Sequence, residues 1–129
     1  MKKNFITVFL ALCIALVPIS ALADWQGIHV WTGEEWQALE QEEKHAFIRG
    51  MVEGLKFRGP DMGPWEPVTE DLEEYIPEMD AVYENPENID LPVVLILDYV
   101  NSKFAGMDQE MLDLRLEELR RIAEENRND

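Results

Sequence analysis

The alternation of apolar and polar residues divides this chain into an N-terminal apolar block and a series of amphipathic segments with helical spacing. The clearest segment is Gln41–Phe57, QEEKHAFIRGMVEGLKF. Wound at about 100° per residue, it places Phe47, Ile48, Met51, Val52 and Leu55 on one broad apolar stripe. His45, Arg49, Glu53 and Lys56 share a charged face, with Glu53 in reach of both Arg49 and Lys56. Between the two runs a row of small residues: Ala46, Gly50 and Gly54. Glycine inside a helix costs roughly 0.8–1.0 kcal/mol relative to alanine. The row therefore predicts a face, Ala46/Gly50/Gly54, against which another helix backbone packs closely. The segment is expected at the centre of the fold.

The flanking elements follow from caps and breakers. Thr32-Gly33-Glu34-Glu35 reads as a capping box, and Trp31 and Trp36 have the spacing of a hydrophobic staple. Trp36 and Leu39 make a short amphipathic turn, either continuous with the next helix or kinked against it. Arg58–Val68, RGPDMGPWEPV, is the irregular segment. Gly59 suits a helix C-terminus, and Pro60 prevents continuation. Arg58, Asp61, Trp65 and Glu66 in this loop are the candidate partner-contact residues. Trp65 alternatively folds back as a lid on the core.

Thr69 is placed to cap a helix through Tyr75, with Glu70 and Asp71 at the favourable end of its dipole. Pro77 suits the opening of a short helix to Tyr83, which Asn85-Pro86 ends. Asp90 is the expected cap of the next helix, with Pro92 in its first turn. Val93–Phe104, VVLILDYVNSKF, could by its β-branched run be a buried strand. Pro92, Gly106 and the spacing of Val93, Leu97, Val100 and Phe104 favour a helix, with Asp98, Asn101 and Ser102 facing water. Asp108 caps a last helix, Gln109–Asn126, whose stripe is Leu112, Leu116, Leu119 and Ala123 with Ile122 alongside. Arg115, Arg120 and Arg121 are expected to form ordinary surface pairs. The pattern predicts a compact all-α bundle of four to six helices.

The apolar block changes the compartment. Lys2 and Lys3, the apolar run Phe5–Val17 and Ala21-Leu22-Ala23 have the form of a signal peptide over residues 1–23, cleaved between Ala23 and Asp24. The run is short for a membrane span, so no stable membrane insertion is expected after cleavage. Cys13 lies inside the apolar run behind Leu12, which does not suit lipidation. Removing residues 1–23 from 129 leaves 106, a single domain over 24–129 without cysteine, disulfide or thiol nucleophile. The formal charge of −16 becomes −18, because Lys2 and Lys3 are lost and no acid is. Such a surface repels nucleic acid and anionic lipid; it favours a cationic protein partner or simple solubility.

Little in the chain points to chemistry. The two histidines, His29 and His45, form no H-x-H or H-x-x-x-H pair. Glu42-x-x-His45 is half of a di-iron signature that needs a second copy. Calcium-loop, nucleophile-elbow and phosphate-cradling glycine motifs are missing. No catalytic, metal or cofactor-binding residues are assigned, and the chain is read as not an enzyme.

Two patterns carry a resemblance. W-x-x-L at Trp36–Leu39 precedes E-K-x-x-F-I-x-G-x-x-x-G at Glu43–Gly54, and Y-x-x-P-x-N-x-x-L-P-V spans Tyr83–Val93. Together they resemble small exported bacterial helical proteins without an assigned activity, and more distantly periplasmic immunity proteins. The resemblance implies a compact helical periplasmic domain and transfers no active site. The expected role is a periplasmic or secreted protein-binding or accessory module. An inhibitor of a basic toxin, and a small-ligand carrier or enzyme, are the alternatives.

Overall fold

The computed structural model describes residues 30–57 and 65–128. The signal-peptide features, Ala23-Asp24, Arg58 and Asp61 lie outside the described residues. The domain is all-α, with helices α1 (Gly33–Ala38), α2 (Gln41–Lys56), α3 (Tyr75–Tyr83), α4 (Val93–Phe104) and α5 (Gln109–Asn128). Short 3₁₀ turns, Leu72–Glu74 and Pro86–Asn88, lead into and out of α3.

Local chemistry explains most boundaries. The Glu35 carboxylate accepts from both the amide (2.8 Å) and the hydroxyl (2.7 Å) of Thr32, fixing the start of α1. Leu39 is extended, so α1 stops there, and Glu40 caps α2 with Glu43 accepting from its amide at 2.8 Å. Asp71, rather than Thr69, caps the turn before α3 by accepting from Glu73 N–H at 3.1 Å. Pro77 sits in the first turn of α3, where its missing N–H costs nothing. Gly106 ends α4 at φ +86°, with its own N–H on Lys103 O (3.0 Å) and that of Met107 on Ser102 O (3.1 Å), a Schellman closure. Asp108 Oδ1 accepts from Met111 N–H at 3.0 Å and starts α5.

Two helix starts are satisfied by each other's lead-in backbone. Gly33 N–H, at the head of α1, donates to Ile89 O at 2.8 Å, and Val93 N–H, at the head of α4, donates to Trp31 O at 2.8 Å. These amides have no partner inside their own helices. Pro92 therefore occupies the N-cap of α4, and the expected cap Asp90 instead pairs with Arg127 at 2.6 Å.

The core corrects the expected centre. Five residues of α4 are buried, Val93, Ile96, Leu97, Tyr99 and Val100, against two of α2, Ile48 and Val52. Tyr75, Ile76, Met79 and Tyr83 of α3 and Trp36 of α1 complete the centre, with Leu112 closing it from α5. The apolar stripe of α2 does face inward: Phe47, Met51 and Leu55 pack against this cluster. The small-residue face does not. Ala46, Gly50 and Gly54 are exposed, and among the described residues nothing lies within 4 Å of a Cβ built on either glycine. The close approach is at Gly33, where a Cβ would stand 2.3 and 2.5 Å from the Tyr83 ring and 2.9 Å from Ile89 O. The expected Trp31–Trp36 staple is relayed by α2. Trp31 stacks on Phe47 at 4.6 Å, and Phe47 meets Trp36 edge-on at 6.4 Å.

Burial raises the pKa of the Tyr75, Tyr83 and Tyr99 phenols above the ordinary 10.0. Tyr83 is also held neutral as donor to Leu91 O at 2.9 Å. The unfolded chain ionises these groups first, so their contribution is complete below about pH 10 and falls as pH rises above it. The urea midpoint is expected to drop across that range, less so in Tyr83→Phe. A midpoint that stays level would remove tyrosine burial as a stabilising term.

Candidate functional site

The polar side of α4 is only half in water, with Asp98, Asn101 and Ser102 partly buried, because it also holds the neighbouring elements. Asp98 accepts from the Trp65 indole N–H at 2.8 Å and pairs with Arg115 of α5. Ser102 Oγ accepts from Arg115 Nη1 at 2.7 Å and donates to Asp98 O at 2.9 Å. Asn101 Oδ1 accepts from Val68 N–H (2.9 Å) and the Tyr75 hydroxyl (2.6 Å), and its Nδ2 donates to Glu66 O at 3.1 Å. Together these bonds pin residues 65–68 across α4. Trp65 is 6 % exposed, so it lies as a lid on the core. Glu66 is exposed beside it.

The same device recurs on α3. Asp80 Oδ1 accepts from the Trp36 indole N–H at 2.7 Å and from Lys44 Nζ at 2.8 Å, and Lys44 lies 5.3 Å above the Trp36 ring. A buried tryptophan needs an acceptor for its N–H. An aspartate next to an apolar stripe, as Asp98 is next to Leu97 and Tyr99, is the sequence signal that identifies one. Arg120 likewise does more than surface pairing. Its Nε donates at 2.7 Å to Oδ1 of the buried Asn88, whose Nδ2 donates at 2.7 Å to Val82 O. Arg120 also keeps a surface pair, to Glu87 at 3.5 Å, and Arg121 makes the expected pairs along its own helix, to Glu118 and Glu125.

Among the described residues, the open concave regions include two of several hundred Å³. The first, of about 480 Å³, lies between the charged face of α2 and residues 67–73. His45 Nδ1 is 3.7 Å from Glu73, Arg49 reaches His45 Nε2 at 3.4 Å, and Lys56 pairs with Glu53 at 2.8 Å. Arg49 thus takes His45 where Glu53 was the expected partner. With Glu70 and Asp71 opposite, the cleft carries more acid than base and suits a cationic group better than an anion. Among the described residues no group of three or more histidine, cysteine or acidic side chains could hold a metal ion.

The second region, of about 370 Å³, is predominantly apolar and is walled by Val30, Pro92, Leu119, Ile122 and Ala123. Ile122 links it to an exposed flank of α5 bearing Met111 and Leu114. The helical spacing of α5 points to its inner stripe and gives Met111 and Leu114 no place on it. Their presence beside a complete stripe of Leu112, Leu116, Leu119 and Ala123 is the signal that one face cannot bury them all.

The described residues thus define a small all-α domain, internally tied by aspartate and arginine side chains, with one acidic cleft and one apolar flank open. No protein family, curated protein or solved structure matches the chain. No helix among the described residues is long and apolar enough to cross a membrane.

Proposed function

We propose that this chain is an exported, non-catalytic protein-binding module that engages a cationic partner in the periplasm. The observation that carries the reading is the set of large apolar side chains left open on a strongly acidic surface. Phe57, Met111 and Leu114 are 85, 51 and 53 % exposed in a chain of formal charge −16. Apolar anchors with a charged surround are the composition of a protein interface. The compartment rests on the N-terminal Lys2-Lys3, apolar run and Ala21-Leu22-Ala23.

The test is capture from a periplasmic extract on the immobilised chain lacking residues 1–23. A specific partner is expected at low salt and is released near 1 M salt, where the Debye length falls to about 3 Å. Recovery of no specific protein at any salt concentration would overturn the proposal.

A further inference from the structure

Helix α5 is the element most in want of a partner. It has twenty residues, packs chiefly on α4, and among its described side chains buries only Leu112 fully. Met111 and Ile122 lie within about 20° of one another around the helix, and Leu114 about 60° to one side. All three are exposed, at 51, 40 and 53 %. They mark a face about 16 Å long, apolar at Met111 and Leu114 and again at Ile122, crossed midway by the exposed Glu118, and ending at the cleft walled by Val30, Pro92, Leu119 and Ala123.

We propose that this flank of α5 docks a basic amphipathic helix of a partner protein. The inference deepens the protein-binding reading and rests on it. Apolar residues at both ends of one helix face, with a carboxylate between them and a predominantly apolar cleft at the far end, fit the interspersed anchors and lysines of a second, basic helix better than a loop or an extended strand. Charge selects the sign of that helix. The arginines of α5 are already engaged: Arg115 with Asp98, Arg120 with Asn88 and Glu87, and Arg127 with Asp90. Arg121 is clasped between Glu118 and Glu125, at 2.6 and 2.5 Å. Beside this face the remaining charge is acidic, from exposed Glu110 and Glu117 next to Leu114. A partner's lysines meet carboxylates there, and the exposed Arg121 pairs are weak enough to be exchanged. A second copy of this chain would instead bring two surfaces of charge −16 together.

The probe is a synthetic leucine–lysine peptide of about 18 residues, roughly five helical turns, with leucines at helical spacing. A peptide of the same composition with the spacing scrambled is the control for plain charge attraction. Titrated calorimetrically into the chain lacking residues 1–23, the patterned peptide is expected to bind saturably. The double variant Leu114→Ser/Ile122→Ser is expected to weaken that binding by about tenfold or more, with circular dichroism and melting point unchanged. Met111→Ser provides a second, independent loss. Equal binding of the scrambled peptide, or full affinity in the double variant, would overturn the docking site. So would a dimer in sedimentation that Ile122→Ser dissolves, because the face would then belong to a second copy. A periplasmic partner captured equally well by the double variant would sink this face and leave the protein-binding reading standing. Capture of nothing by the unaltered chain would sink the reading itself.

Discussion

Gly33→Ala is expected to lower the stability of the domain by about 3 kcal/mol, at the upper end of overpacking costs. The methyl group would stand 2.3 Å from Tyr83 Cδ1 and 2.9 Å from Ile89 O. Neither neighbour can retreat easily. The Tyr83 ring is buried and tied by its hydroxyl to Leu91 O at 2.9 Å, and Ile89 O accepts the Gly33 N–H at 2.8 Å. A shift of either would also loosen the junction where the starts of α1 and α4 satisfy each other. For a domain of this size the melting point should fall by about 12–24 °C. Alanine at Gly50 or Gly54 should act in the opposite direction. Both glycines are exposed with open space around them, Gly50 in mid-helix and Gly54 in the last turn of α2, so Gly50→Ala is expected to add about 0.8 kcal/mol and Gly54→Ala less. Urea unfolding of the three variants separates the cases. An unchanged midpoint in Gly33→Ala, or a marked loss in Gly50→Ala, would relocate the tight backbone contact.

Asp98→Ala has the second largest expected effect, a loss of about 2–3 kcal/mol. It leaves the indole N–H of the buried Trp65 without its acceptor and Arg115 without its carboxylate. It also releases one of the ties that hold residues 65–68 on α4, so the lid should admit water and the tryptophan emission should shift to the red. Asp98→Asn retains an oxygen for the indole and loses the charge, so its cost should be about half as great. A double-mutant cycle with Trp65→Phe isolates the shared bond. Coupling of about 1 kcal/mol or more is expected, and additive single effects would show that the bond contributes nothing of its own.

Most helices of this fold are legible in the chain. The spacing of Val93, Leu97 and Val100, with Pro92 before and Gly106 after, marks α4 over the residues it occupies. Thr32 with Glu35 and Asp108 with Met111 act within one turn, so their caps can be read without knowing the rest of the molecule. The glycines show where that legibility ends. Gly50 and Gly54 look like a packing face because their spacing is helical, but spacing gives a direction around the helix and says nothing of what stands there. Gly33 looks like filler in an acidic first turn, yet Tyr83 arrives against it from far along the chain.

The polar residues divide in the same way. Asp98, Asn101, Ser102 and Arg115 alternate with apolar positions as surface residues do, and by pattern alone they belong to water. Packing half-buries them, because a buried indole, the amide of Val68 and the hydroxyl of Tyr75 need partners there. Trp65 becomes a lid because Asp98 is placed to accept its N–H. Met111, Leu114 and Ile122 are left outside because α4 and its neighbours cover only one stripe of α5. Caps, breakers and apolar spacing act over a few residues, so the linear order of side chains suffices to set the helices and their inward faces. Which glycine is crowded, which acid is a tie and which apolar residues stay open depend on atoms brought within a few ångströms from distant segments, and only the folded arrangement selects them.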